Sequence, residues 1–186
     1  MNQKKKRLSL AFAAALAVLA TSVVISAQDK YTVKVPGGLA FTEFRGYETW
    51  QVINVNQNAH AVAVILGNPV LIDAYKAGFP ANGKPAPDGA KFAKIHWQPQ
   101  LKASTPGSPT VAGKQINVDF MVKDSKRFTD SGGWGWAVFD FDAATNTFRP
   151  GDAMSQPPQA NDAKCGLACH TIVKDRDYVF TEYPTR

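Results

Sequence analysis

The sequence predicts a single α+β domain dominated by an antiparallel sheet of about five strands, with a few short helices. Three observations lead to this prediction. Several segments alternate apolar and polar residues, as strands with one buried face do. Loops rich in Pro, Gly and Ser separate these segments. Stretches with helical spacing are few and short, which argues against a small all-helical domain.

The N-terminal segment has the composition of a secretory signal peptide. Residues 4–7 are basic, an apolar run follows over residues 8–25, and the small residues Ser26 and Ala27 precede a polar break. We expect cleavage after Ala27, which leaves residues 28–186 as one exported, periplasmic domain. An uncleaved anchor is the alternative because the apolar run is nearly long enough to span a bilayer. The small residues before the break favour cleavage.

Most of the net positive charge belongs to this leader. The formal net charge of the chain is +6, but residues 4–7 are all cationic and the leader contains no acidic residue. The mature domain is therefore close to neutral. Neutrality gives no electrostatic reason to expect nucleic acid or an anionic membrane as a partner.

The first half of the mature domain contains two predicted strands and two predicted helices. In chain order we expect a poorly anchored extended arm, a short helix, two strands and a helix, at residues 28–36, 41–45, 50–55, 61–66 and 70–77. The last helix has clear end signals, because Pro69 suits its first turn and Gly78 follows its last.

The second half contains three predicted strands. They lie at residues 91–97, 116–122 and 134–139, with loops expected at 79–89 and 104–113. The middle strand has two distinct faces, formed by Ile116, Val118, Phe120 and Val122 and by Asn117, Asp119 and Met121. Residues 150–159 are expected to be irregular, and Asn161 or Asp162 to cap a short C-terminal helix.

That helix carries both cysteines of the chain, in the run Cys165-Gly166-Leu167-Ala168-Cys169-His170. Covalent haem attachment requires two thiols that reach the two vinyl groups and a nitrogen ligand beside them. The usual motif has two residues between the cysteines and this one has three, but positions i and i+4 still share a helix face. We therefore predict one covalently attached haem c, with His170 as the proximal iron ligand and its other ring nitrogen oriented by a hydrogen-bond acceptor.

The two cysteines also allow two other interpretations, a disulfide and a zinc site. A disulfide would close so small a loop that it would constrain the unfolded chain very little. A zinc site would need four ligands, and the other histidines available are His60 and His96. Both interpretations are weaker than haem attachment.

The chain is similar to the cytochrome P-460 and cytochrome c′-beta family. The resemblance spans most of the mature domain and rests on motifs that occur in a shared order, at residues 47–50, 87–94, 122–128, 133–137, 165–170 and 177–181. It implies a β-rich fold that binds one five-coordinate c-type haem, commonly as a homodimer. Some members of the family oxidise hydroxylamine and others only bind nitric oxide.

The resemblance also implies roles for two further residues. In hydroxylamine-oxidising members a lysine side chain bonds covalently to the haem edge, and Lys94 matches its place. A carboxylate lies beside the vacant iron face, and Asp119 occupies the place where those members carry glutamate. We therefore predict Lys94 and Asp119 as catalytic residues, with Asp119 as the proton acceptor. Lys91 competes with Lys94 but lies on the other strand face.

Three more groups of side chains have an expected role or position. Met121 and Met154 are candidate sixth iron ligands, although for Met121 a place in the pocket wall is favoured. The aromatic residues Trp134, Trp136 and Phe139 are expected in the core or at a dimer interface. His96 is expected at the surface.

These residues predict a periplasmic mono-haem protein with an open coordination position for a small nitrogen species. The leading hypothesis is hydroxylamine oxidation that passes electrons to an external acceptor. A non-enzymatic nitric oxide sensor or scavenger is one alternative, and a six-coordinate electron-transfer cytochrome is the other. All three need the same attachment cluster, so the sequence leaves the choice open, including whether the protein is an enzyme.

Overall fold

Six antiparallel strands form a single sheet in which each strand pairs with its neighbours in the chain. In the computed structural model, which describes residues 29–33, 35, 38–151 and 163–185, the strands are β1 Gln51–Gln57, β2 Val62–Gly67, β3 Lys91–Leu101, β4 Thr110–Lys123, β5 Trp134–Asp142 and β6 Thr147–Pro150. Two α-helices occur among the described residues, α1 Pro69–Lys76 and α2 Ala163–His170. Short 3-10 helices span Lys30–Thr32, Phe41–Phe44, Tyr47–Thr49, Thr129–Ser131 and Thr171–Arg176. The sheet-dominated fold with short helices is confirmed.

The predicted strand number is wrong by one, because β6 was not expected. This strand has only four residues and ends in proline, so its own sequence carries too little alternation to identify it. It pairs with β5, with Phe141 opposite Phe148. The Phe148 ring lies 5.1 Å from that of Phe141 and 5.0 Å from that of Phe41, measured between centroids. Packing against distant residues therefore stabilises β6.

The hairpin of β3 and β4 is longer than predicted. The expected loop over residues 104–113 is shorter in the structure, because Leu101 pairs with Thr110 and Gln100 with Val111. Backbone pairing continues into this polar, exposed segment although no apolar alternation marks it. Helix α1, in contrast, matches its prediction. Asn68 caps it by accepting a hydrogen bond from the Leu71 amide at 3.1 Å.

The two faces of the sheet carry separate hydrophobic clusters. The arm face is covered by residues 29–33, 35 and 38–49, and its cluster includes Phe41, Phe44 and Phe120. Val33 and Val35 are buried in the same cluster, so the prediction of a poorly anchored N-terminal arm is wrong. Apolar side chains within a short polar segment anchor the arm through contacts that its local sequence does not reveal.

The opposite face, which we call the site face, is covered by α1, α2 and residues 177–183. Its buried cluster consists of side chains from the sheet, from α1 and the loop after it, and from the segment after α2, among them Ile53, Ile65, Leu71, Tyr75, Phe92, Met121, Trp134, Trp136 and Val179. Leu167 of α2 packs against this cluster. The predicted division of β4 is confirmed, since Val118, Phe120 and Val122 belong to the arm face and Met121 to the site face.

Other predictions concern residues beyond these ranges. The signal-peptide segment, residues 152–159 of the segment expected to be irregular, and the caps Asn161 and Asp162 lie outside the described residues. Within the described part of the chain, no helix has the length and apolar character needed to cross a membrane.

Candidate functional site

A cavity of about 390 Å³ opens on the site face between the sheet, α2 and the segment that follows α2. Its walls are mainly apolar, formed by Ile65, Phe92, Met121, Trp136, Val138, Val179 and Phe180. Six polar residues also line it, namely Asn56, Lys94, Asp119, Cys169, His170 and Thr181. An apolar cavity of this size with a few convergent polar groups is typical of a site for a small organic ligand or cofactor.

Helix α2 lies directly against β5 because of a glycine. A Cβ atom on Gly166 would lie 2.0 Å from Cγ of Trp136, closer than any side chain can approach. The missing side chain thus allows the helix backbone to rest on the indole ring. This contact places Cys169, which is exposed and carries a free thiol, at the cavity. The backbone of Cys165 lies one turn earlier in the same helix.

His170 is the last residue of α2, and one of its ring nitrogens forms a hydrogen bond. Its Nδ1 is 2.6 Å from the carbonyl oxygen of Tyr178, so Nδ1–H donates and Nε2 keeps its lone pair. The ring packs edge-on against Phe180, with centroids 5.0 Å apart. Burial lowers the pKa of His170, while the hydrogen bond to Tyr178 opposes that shift. A neutral imidazole with a free Nε2 is the state that ligates a metal ion.

Lys94 and Asp119 lie together on the floor of the cavity. They are direct register partners on β3 and β4 and share the site face. In the described part of the chain, the Lys94 amino group makes neither a hydrogen bond nor an ion pair, although its charge acts on both Asp119 and His170. Lys91 points to the other face, where its amino group donates to the Glu43 carbonyl at 2.6 Å.

Asp119 occupies an environment that favours the protonated acid. Its Oδ1 is buried without a hydrogen-bond partner. The side chain is 38% exposed and lines the cavity. Burial raises the pKa of Asp119 to about 7, and Lys94 opposes the shift while Asp140 adds to it. The carboxyl group can therefore exchange a proton near neutral pH.

The predicted surface position of His96 is wrong. It was expected at the surface, but its side chain is only 15% exposed and its Nδ1 lies 3.6 Å from Oδ2 of Asp119. Burial and the charge of Lys94 lower the pKa of His96 to about 4, so the ring is neutral beside the carboxyl group. This position could have been predicted from the sequence, because residues 94 and 96 are two apart in a strand and therefore lie on the same face of β3.

The other candidate residues lie in different parts of the structure. Met121 is buried in the cavity wall, opposite Phe92 and Trp136 in the sheet register. Trp134 and Trp136 are buried on the site face and Phe139 on the arm face. His60 is exposed in the turn between β1 and β2, away from the cavity. Met154 and the side chain of Cys165 lie outside the described residues.

A comparison with known protein families gave a match. The family model of cytochrome P460 matches residues 44–181, which include all six strands, α2 and the segment after it. The chain belongs to the cytochrome P460 family. A comparison with curated proteins gave no match. The family resemblance derived from the sequence motifs is therefore confirmed.

Membership of the cytochrome P460 family implies a haem cofactor and indicates a c-type haem protein that acts on nitrogen species. The described residues fit such a group. The cavity has apolar walls, and the neutral imidazole of His170 offers Nε2 as an iron ligand with its other nitrogen held by a carbonyl. A thiol on the same helix faces the same cavity. His170 and Cys169 would hold the group on the α2 side.

Proposed function

We propose that this cytochrome P460 family member is an exported, periplasmic protein that binds one haem c and oxidises hydroxylamine. Cys165 and Cys169 would form the thioethers, and His170 would ligate the iron. The observation that supports the proposal best is the convergence of Lys94, Asp119, Cys169 and His170 on one apolar cavity. Lys94 and Asp119 come from two consecutive strands, and Cys169 and His170 come from a helix much later in the chain.

When bound, the haem supplies a redox-active iron with an open position for a small nitrogen ligand. Asp119 would accept protons from that ligand, since its pKa of about 7 lets it take up and release protons at neutral pH. Electrons would leave to an external redox acceptor. The apolar walls exclude water and keep the carboxyl group desolvated.

Nζ of Lys94 would bond covalently to a carbon atom at the haem edge, with one hydrogen lost as a proton from each of the two atoms and the two electrons taken up by the external redox acceptor. The Lys94 side chain faces the cavity, and in the described part of the chain its amino group has no competing partner. The modified macrocycle would have altered redox behaviour and a red-shifted Soret band. A homodimer, as is common in the family, is part of the same proposal.

Nitric oxide binding without turnover is a second candidate function. One observation favours it. Aspartate is one methylene shorter than the glutamate of the oxidising members, and Oδ2 of Asp119 lies towards His96 at 3.6 Å. A carboxyl group held in this way would have a shorter reach towards an iron-bound ligand, which would slow proton transfer and leave binding intact.

Mass spectrometry of the protein expressed with a haem-ligation apparatus tests the first proposal. We expect a mature chain that begins at Gln28, a mass increase of one haem, two thioethers and a cross-linked Lys94 peptide. Hydroxylamine should then reduce an acceptor dye, and Cys169→Ala should lose one thioether. A colourless product would overturn the haem assignment. A coloured product that forms a nitrosyl complex but reduces no dye would select nitric oxide binding.

A further inference from the structure

A buried ion pair joins the end of β4 to the segment that follows α2. The amino group of Lys123 lies 2.7 Å from Oδ1 of Asp177 and donates to the Gly132 carbonyl at 2.8 Å. It also lies 4.9 Å from the centroid of the Trp134 ring. Lys123 is 4% exposed. The second carboxylate oxygen of Asp177 accepts a hydrogen bond from the Ala86 amide at 2.8 Å. The Lys123 amino group and both carboxylate oxygens of Asp177 therefore have hydrogen-bond partners.

The backbone at this pair has an unfavourable conformation. Asp177 and Tyr178 are consecutive residues other than glycine with positive φ, 52° and 63°. Such a conformation costs free energy and persists where surrounding contacts enforce it. The ion pair holds Asp177, and the Tyr178 ring rests on Gly132, where a Cβ atom would lie 2.2 Å from the ring. Lys123 also donates to the Gly132 carbonyl, so the ion pair and the Tyr178 ring both contact Gly132.

The next carbonyl in the chain is the one that orients His170. The Tyr178 oxygen accepts the Nδ1–H of His170 at 2.6 Å, and its direction follows from the backbone angles at residues 177 and 178. We propose that the Lys123–Asp177 ion pair is the positioning device for His170, because it holds the turn that aims the Tyr178 carbonyl at Nδ1. The consequence for the haem rests on the proposed function, in which His170 is the iron ligand.

The ion pair does not line the cavity, so Lys123 and Asp177 act through Tyr178 and not on a ligand. A hydrogen bond to Nδ1 makes the imidazole more basic and fixes its orientation, which strengthens its bond to iron and favours the oxidised metal. Without the ion pair, the turn would relax towards negative φ and the carbonyl would move away from Nδ1.

The test compares Lys123→Met with Lys123→Arg in the haem-loaded protein. We expect Lys123→Met to lower the iron–histidine stretching frequency of the ferrous form, to shift the reduction potential to more positive values and to speed amide exchange over residues 177–183. Lys123→Arg keeps the charge and should restore most of the stretching frequency. The matched control is Arg127→Met, which breaks the ion pair with Glu43 at 2.7 Å on the arm face and should change none of these values.

A second variant covers the case in which Lys123→Met does not fold. Asp177→Asn has the same shape but cannot accept hydrogen bonds at both positions, so it should shift the frequency in the same direction. An unchanged frequency in whichever variant folds, with faster amide exchange over residues 177–183, would overturn the proposal and leave the pair a merely structural one.

Failure of the proposed function would look different, since the wild-type protein itself would then contain no haem. In that case the ring ¹⁵N chemical shifts of His170 report the same relationship. The wild-type protein and Arg127→Met should show the Nδ1–H tautomer, and Lys123→Met a mixture of both tautomers. A single tautomer in all three proteins would overturn the inference.

Discussion

Lys94 and Asp119 face each other across β3 and β4, point into the same cavity and do not form an ion pair. Opposite charges directly across an antiparallel pair ordinarily attract and stabilise the sheet. Here the lysine amino group is left without a partner in the described part of the chain, and the carboxyl group has a raised pKa. This register pair is thus arranged for contact with a ligand in the cavity.

The first prediction concerns the amino group of Lys94. Lys94→Arg should abolish the covalent cross-link and return the Soret band to an ordinary c-type position, because guanidinium remains charged and is a poor nucleophile. Hydroxylamine turnover should fall at least tenfold. Peptide mass spectrometry and the visible spectrum measure both effects.

The control for Lys94 is Lys91→Arg on the opposite strand face. Lys91 binds the Glu43 carbonyl, away from the cavity, so this variant should keep the cross-link and the spectrum. A cross-link that persists in Lys94→Arg would show that another residue forms it.

The second prediction follows from the pKa of Asp119. Burial raises this pKa from 3.8 to about 7, so the native state binds more protons than the unfolded state between these values. Stability contributed by the protonated group is therefore full below about pH 4 and is lost as pH rises towards 7. Asp119→Asn should remove this loss. We expect it to be more stable than the wild type by about 1–2 kcal/mol above pH 7, a value discounted for the exposed part of the side chain.

Denaturant unfolding at pH 4 and pH 8, with both proteins in the same haem-loaded state, measures this difference. The gain should shrink towards zero at pH 4. The exposed carboxylate Asp130 provides the control, and Asp130→Asn should show no comparable dependence. An equal gain for Asp119→Asn at both pH values would contradict a raised pKa.

The third prediction tests the contact between α2 and β5. Gly166→Ala should push the helix off Trp136, since the added Cβ has no space. We expect a loss of about 1–3 kcal/mol, the usual range for overpacking, together with a lower yield of haem attachment. Thermal unfolding and the ratio of haem to protein are the measurements.

A compensating change makes the same test sharper. Trp136→Leu should restore space beneath the helix, so the double variant should recover part of the haem yield that Gly166→Ala loses. Ala168→Ser, at an exposed position of α2, should leave the yield unchanged. Equal yields for Gly166→Ala and Ala168→Ser would argue against close packing at this point.

The fourth prediction concerns the arm face. Phe41 is fully buried and its ring lies 4.6 Å from Phe139 and 5.4 Å from Phe120, measured between centroids. Phe41→Ala should cost about 3–5 kcal/mol, because a large aromatic side chain leaves a cavity. The haem spectrum of the folded protein should not change, since the sheet separates this residue from the site face. A changed spectrum in the folded protein would show that the two faces are coupled.

Local spacing accounts for the features that the sequence predicted correctly. The alternation in β4 assigns Asp119 and Met121 to one face whatever the strand pairs with, because successive side chains point to opposite sides. The helix α1 was predicted because Pro69 and Gly78 act within one turn of its ends, whereas its cap Asn68 was identified only in the structure. Strand β6 and the buried arm were missed, since each is stabilised by side chains that are remote in the chain.

The sequence by itself determined the family, the sheet-dominated fold and the cluster at residues 165–170, because each depends on residue types at fixed local spacings. The tertiary structure alone decided that His96 lies beside Asp119, that Tyr178 orients His170, and that Lys123 is paired with Asp177. These relationships depend on strand register and on a turn with positive φ. Both result from the packing of distant segments, which no local pattern encodes.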